Sequence, residues 1–170
     1  MSTEKLTRYG MLTAAALVAA FIESLLPLNF VPGIKLGLAN CVPLLLFYFK
    51  DYKGAVTVNI LRVLLAALLF GSVTSLIYSV SGAALSLFVM FIAVRLLNGS
   101  TVFTSVLGAV AHNIAQLLAA VFVMKTATVL LYLPWLLLSG IVFGLITGFT
   151  ARALIKNSGI SGFINSGIKK

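Results

Sequence analysis

Acidic side chains are nearly missing from this chain: among 170 residues only Glu4, Glu23 and Asp51 carry a carboxylate, and they lie far apart in sequence. Acid–base chemistry by paired carboxylates needs two such groups flanking one bond, so it is not expected. With Asp51 as the single aspartate, no Asp-rich motif can hold magnesium against a diphosphate, and prenyl transfer within this polypeptide is not expected either. The one cysteine, Cys41, forbids an internal disulfide and a cysteine-rich metal site and reads as a small packed side chain. A single histidine, His112, with no carboxylate nearby in sequence makes a poor metal site. The pattern Gly-x-x-x-x-Gly-Lys-Ser/Thr occurs nowhere, so nothing recognisable grips nucleotide phosphates. Catalytic residues, cofactors and metals are accordingly not expected.

Charge is scarce as well. Only 9% of residues are charged, against roughly 25% in soluble domains, while 61% are hydrophobic and the mean hydropathy is +1.17. The composition is that of an integral membrane protein. Its net charge of +9 does not point to nucleic acid, because the bases punctuate apolar runs instead of gathering on a hydrated face. They set orientation in the bilayer instead.

A hydrocarbon core of about 30 Å needs about 20 apolar residues per helix, fewer where protein shelters the helix. That template gives an all-α bundle of six transmembrane helices, near residues 10–27, 37–49, 54–71, 75–97, 102–124 and 127–151. Residues 1–156 form one membrane domain and 157–170 a cytoplasmic tail, in which disorder is favoured over a short amphipathic helix. The start after Lys5 and Arg8 imitates a signal peptide, but five further apolar stretches follow, so it is kept as an uncleaved helix. With the N-terminus inside, Lys5, Arg8, Lys50, Lys53, Arg95, Arg152, Lys156, Lys169 and Lys170 are cytoplasmic, and only Lys35 and Lys125 lie outside. The expected location is the cell membrane, multi-pass, with both termini cytoplasmic.

Breakers and small residues refine this picture. The stretch from Pro27 to Gly37 is too broken for a helix and too apolar for a hydrated loop, and is expected to fold back over the outer end. Pro43 and Pro134 fall within apolar runs, where a missing donor kinks a helix or is repaired by neighbours. Ala15 and Ala19, with Ala16 and Ala20 beside them, and Gly140, Gly144 and Gly148 recur every four residues, which lines up small residues for close helix approach in lipid. Phe47, Tyr48, Phe49 and Tyr52, and at the other end Tyr132 and Trp135, read as interfacial anchors.

One cation falls inside a span. Arg62 lies about 12 Å along the third helix at 1.5 Å per residue, where exposure to lipid costs about 2.5–3.5 kcal/mol, so it has to face something polar. Asn59 is one turn earlier; His112, Asn113 and Gln116 occupy the middle of the fifth span; Lys35 and Asn40 flank the outer start of the second, and Glu23 the outer end of the first. In one reading Arg62 pairs with Glu23 or with groups of the fifth span, and His112 is a hydrogen-bonded linker between helices. In the other, Lys35, Asn40, Asn59, Arg62, His112, Asn113 and Gln116 line a ligand pocket, near which Tyr78 lies. One carboxylate cannot neutralise all these donors, which suits an anionic or carbonyl-rich small molecule.

Three segments together resemble a known family: Gly-Ile-Lys-Leu-Gly-Leu-Ala-Asn from Gly33 to Asn40, Gly-Ala-Val-Ala-His-Asn-Ile-Ala-Gln from Gly108 to Gln116, and Leu133-Pro134-Trp135 before the glycine seam. They are similar to the bacterial family labelled heptaprenyl diphosphate synthase component I, also called the Gx transporter family, over roughly residues 9–155. That family in turn resembles the substrate-binding S components of energy-coupling-factor transporters. The resemblance implies six helices, a lid-like first external loop, and an Ala-x-x-x-Ala seam at Ala15 and Ala19, or Ala16 and Ala20, that docks on a coupling membrane subunit. That subunit works with two ATPases. The alternative implied by the synthase label is a noncatalytic membrane accessory of heptaprenyl diphosphate and isoprenoid-quinone biosynthesis.

Overall fold

The computed structural model describes residues 3–25 and 40–166, all of whose regular elements are helical. The predicted outer loop of residues 27–37, Lys35 included, lies outside the described residues. Seven α-helices follow in order: α1 Thr3–Leu25, α2 Cys41–Tyr48, α3 Tyr52–Phe70, α4 Val73–Arg95, α5 Thr101–Met124, α6 Leu133–Lys156 and α7 Ser158–Ser166, with a 3₁₀ segment Ala127–Tyr132 leading into α6. Side-chain caps set several starts, each satisfying an orphan amide of a first turn. The Asp51 carboxylate accepts from the Gly54 amide at 3.0 Å, the Ser72 hydroxyl from Ser75 at 3.2 Å, and the Ser100 hydroxyl from Phe103 at 3.3 Å.

Among the described residues, five stretches are long and apolar enough to cross a bilayer: α1, α3, α4, α5, and the 3₁₀ segment continued by α6. The chain is thus a multi-pass membrane protein. The predicted second span is not among the five. Its described part, α2, has eight residues, a rise of about 12 Å, and every residue from Cys41 to Phe47 is buried. A helix apolar on all sides belongs inside a bundle, and α2 packs on α1, α3, α4, α5 and α6. Pro43 sits in its first turn, where an amide would have no partner within the helix. Pro134 likewise falls at the start of α6, so the expected mid-helix kink is replaced by a helix beginning.

The most extensive interfaces join α5 to α6 and α4 to α5. Gly140, Gly144 and Gly148 explain the first. A methyl group on each would meet the Cα of Val110, Val106 and Val102 at 3.2, 2.7 and 2.8 Å, so the glycine seam is filled by the backbone of α5. On α4–α5 the complementary arrangement places Met90 against Gly108.

Two further sequence expectations fail for identifiable reasons. Residues 158–166 form a helix, not a disordered tail: the Asn157 side chain accepts from the Gly159 and Ile160 amides at 3.1 and 3.3 Å, and Ile164 is fully buried in the main apolar cluster beside Tyr9, Leu12 and Ala16. Phe47 is not an interfacial anchor but a core residue at 2% exposure. Tyr48 and Trp135 do stand exposed.

Candidate functional site

Arg62 is buried on the inner face of α3 with Val58, Asn59 and Val63. Its Nε and Nη2 donate to the Asn59 Oδ1 at 3.2 and 2.7 Å. That acceptor is neutral and belongs to the preceding turn, so the pair is local to α3. The Glu23 carboxylate, near the end of α1, lies within electrostatic reach of the guanidinium. At 8% exposure Arg62 is sheltered from lipid, as the cost of exposing it requires.

The polar residues of α5 are also buried, but they serve different neighbours. His112 and Gln116 face α4 at Gly82, where an added methyl would lie 2.7 Å from the imidazole Cε1 and 2.9 Å from the Gln116 Cγ. The absence of a side chain at Gly82 is what gives these two groups room. Tyr78, half-buried, lies one turn before Gly82 on the same face of α4. Both amide atoms of Gln116 are sequestered without a hydrogen bond among the described residues. Asn113 instead turns to α6: its Nδ2 donates to the Leu136 carbonyl at 2.8 Å and to the Ser139 hydroxyl at 3.3 Å. Its amide protons therefore cross-link two helices, leaving Oδ1 for other contacts. Asn40, 9% exposed, immediately precedes α2.

The candidate residues thus form two pairs, Asn59 with Arg62 and His112 with Gln116. They stand on α3 and α5, two helices that both pack on α2 and α4.

A second buried polar cluster escaped the sequence reading. The Tyr9 hydroxyl donates to the two Asp51 oxygens at 2.9 and 2.8 Å, while Asp51 caps α3, as noted. Arg8, counted as an orienting surface charge, is 3% exposed; its Nη1 donates to the Ile164 carbonyl of α7, and its Nε and Nη2 have no hydrogen bond among the described residues. The signal for the Asp51 cap was an aspartate just before the third apolar run, which was not used to place the helix start at Tyr52. The tie from Arg8 to α7 joins residues 156 apart in sequence and left no local signal.

The alanine pairs of α1 are separated by burial. Ala16 is fully buried in the core and Ala20 is half-buried; Ala15 is exposed and Ala19 half-buried.

These features define a class: a multi-pass helical membrane protein with uncommonly many polar side chains buried between its helices. The chain matches the family described as heptaprenyl diphosphate synthase component I over residues 12–154, and it belongs to that family. No curated protein and no solved structure matches it.

Proposed function

We propose that this chain is a substrate-capture subunit of the energy-coupling-factor type, binding a small anionic ligand from the side of the membrane opposite its termini. Delivery inward then depends on a coupling membrane subunit and two ATPases. The observation that carries this reading is Arg62: a buried guanidinium whose hydrogen bonds among the described residues go to one neutral side chain, so that three of its five N–H groups have no acceptor among those residues. Gln116, whose buried amide has no hydrogen bond among the described residues, supplies both a donor and an acceptor. A few fixed polar groups in apolar surroundings are the usual composition of a small-molecule site. Lys35, Asn40, Asn59, His112 and Asn113 complete the proposed lining. Flavin-like and isoprenoid-precursor anions fit its charge. The exposed Ala15 on α1 offers a close-approach surface for the coupling subunit.

Native mass spectrometry of the detergent-purified chain tests capture directly, because a co-purifying small molecule identifies the ligand class. Arg62→Ala is expected to weaken its retention by about 1.5–3 kcal/mol, the worth of a charge-assisted hydrogen bond. Unchanged affinity in a folded variant would remove Arg62 from the site.

The family description favours a second reading, in which the chain is a noncatalytic membrane partner that holds a soluble prenyl diphosphate synthase at the bilayer through its basic loops. Co-purification with such a synthase, instead of with a coupling subunit and ATPases, separates the two.

A further inference from the structure

A groove of about 610 Å³ runs between α3 and α4 at the membrane end marked by Lys50 and Lys53. It lies outside the proposed capture site. Its floor is Phe47, and its end wall is aromatic: the Tyr52 ring lies 5.9 Å from that of Phe47 and 5.3 Å, edge-on, from that of Phe91. Val56 and Phe88 form the sides, at 41% and 61% exposure, so the groove opens laterally toward the surroundings of the helices. Those surroundings are lipid. Any occupant that enters this way brings a flexible apolar chain.

Two polar groups interrupt the lining, Lys53 and Thr57, four residues apart and therefore on one face of α3. Among the described residues, Lys53 is the only charged one lining the groove. The carboxylate nearest to it in sequence, Asp51, is already held by the Tyr9 hydroxyl and the Gly54 amide. Thr13 and Thr150 use their hydroxyls to bond carbonyls four residues back; the Thr57 hydroxyl makes no such bond among the described residues. The groove therefore presents an ammonium and, one turn further along α3, an uncommitted hydroxyl beside its aromatic and aliphatic lining. Lys53 belongs to the first turn of α3 and Phe91 to the end of α4, which puts the ammonium at headgroup depth, with Thr57 one turn further in beside Val56.

We propose that this groove is a binding site for a phosphate-bearing anionic membrane lipid, with Lys53 and Thr57 on the phosphate and an acyl chain along Val56, Phe88 and Phe91. Basic pockets between transmembrane helices take anionic head groups by the same electrostatics. A lysine that merely reaches toward the interface along its stem would attract head groups without distinguishing one lipid.

The full chain, purified in detergent, is titrated with phosphatidylglycerol or phosphatidylcholine, and bound lipid is counted by native mass spectrometry. One phosphatidylglycerol is expected to remain under activation that strips phosphatidylcholine. Lys53→Gln is expected to lower that retention about fivefold, and Lys50→Gln, the same charge change three residues away, less than twofold. Val56→Trp, a change at an exposed position that fills the trough, is expected to displace the lipid even if Lys53→Gln proves unstable. Equal retention of the two lipids, equal losses for the two lysine variants, or undiminished binding in Val56→Trp would each overturn the proposal. Preferential retention of a prenyl diphosphate over phosphatidylglycerol would overturn it too.

Discussion

Replacing Gly144 by alanine tests whether backbone contact holds α5 and α6 together. The new methyl would stand 2.7 Å from the Val106 Cα, 3.2 Å from the Ala109 Cβ and 3.3 Å from the Ser105 carbonyl oxygen. Carbon atoms rest at about 3.5–4.0 Å, and the closest obstacle is helix backbone that cannot rotate away, so the two helices have to part by about 1 Å. Overpacking of this kind costs about 1–3 kcal/mol. Alanine also raises helix propensity by about 1 kcal/mol over glycine, which offsets part of the loss. A second helical glycine isolates that offset: a methyl at Gly10 meets nothing within 4 Å, so Gly10→Ala carries the propensity gain alone. The difference between the two variants is the packing cost, about 1–3 kcal/mol, or about 2–4 °C of melting temperature per kcal/mol for a chain of this size. The protein contains its own probe, because its single thiol, Cys41, is 8% exposed and reacts with a thiol-specific fluorophore only as the bundle opens. Gly144→Ala should melt below Gly10→Ala in detergent. Coincident midpoints would refute the claim that the glycine seam is filled by α5.

Three further perturbations separate the parts of the molecule. Tyr9→Phe removes a donor from a buried carboxylate and should destabilise by about 1.5–3 kcal/mol, read by the same thiol assay; in an Asp51→Asn background the extra loss should shrink, and full additivity would argue against the bond. Ala15→Leu changes an exposed position and should shift stability by no more than about 0.5 kcal/mol while abolishing co-purification with a coupling subunit. Ala16→Leu, at a fully buried position, should instead be destabilised by overpacking; the opposite pattern would invert the assignment of the two alanine registers. Arg8→Ala removes the tie to the Ile164 carbonyl, so trypsin should cut after Lys156 faster than in the parent chain, and an unchanged cleavage rate would mean that α7 is held by its apolar face alone.

The spanning helices were legible because composition and length dictate them: long apolar runs with basic ends have few alternatives in a bilayer. Their starts carried a signal where a capping side chain precedes the run, as Asp51 and Ser100 do. What could not be read was which face each helix buries. In lipid the outward and inward faces are equally apolar, so the periodicity that reveals a core in water is faint here. Ala15 and Ala16 show the consequence, being indistinguishable in sequence although one is exposed and the other is core. Arg8 fails for a related reason: an arginine near a helix end reads as a topological charge, and its burial depends on α7, whose carbonyl lies at the far end of the chain.

The same geometry limits what α5 can contribute to any ligand site. Successive residues on a helix differ by about 100° in direction, so His112 and Asn113 cannot both point at one spot, whereas His112 and Gln116, four apart, can. The structure follows this division, with the pair His112 and Gln116 set against Gly82 of α4 and Asn113 bonded to α6. Asn113 therefore ties α5 to α6 through its amide protons, and the side chains of His112 and Gln116 stand together on the α4 side of the helix. Both α2 and α4 pack on α3, which carries Arg62, and on α5, which carries that pair. A ligand bridging the guanidinium to the Gln116 amide would have to lie against those helices. Bulk introduced at Gly82, the one position where α4 leaves His112 and Gln116 their room, should consequently impair binding more than the same bulk on the lipid-facing side of α4.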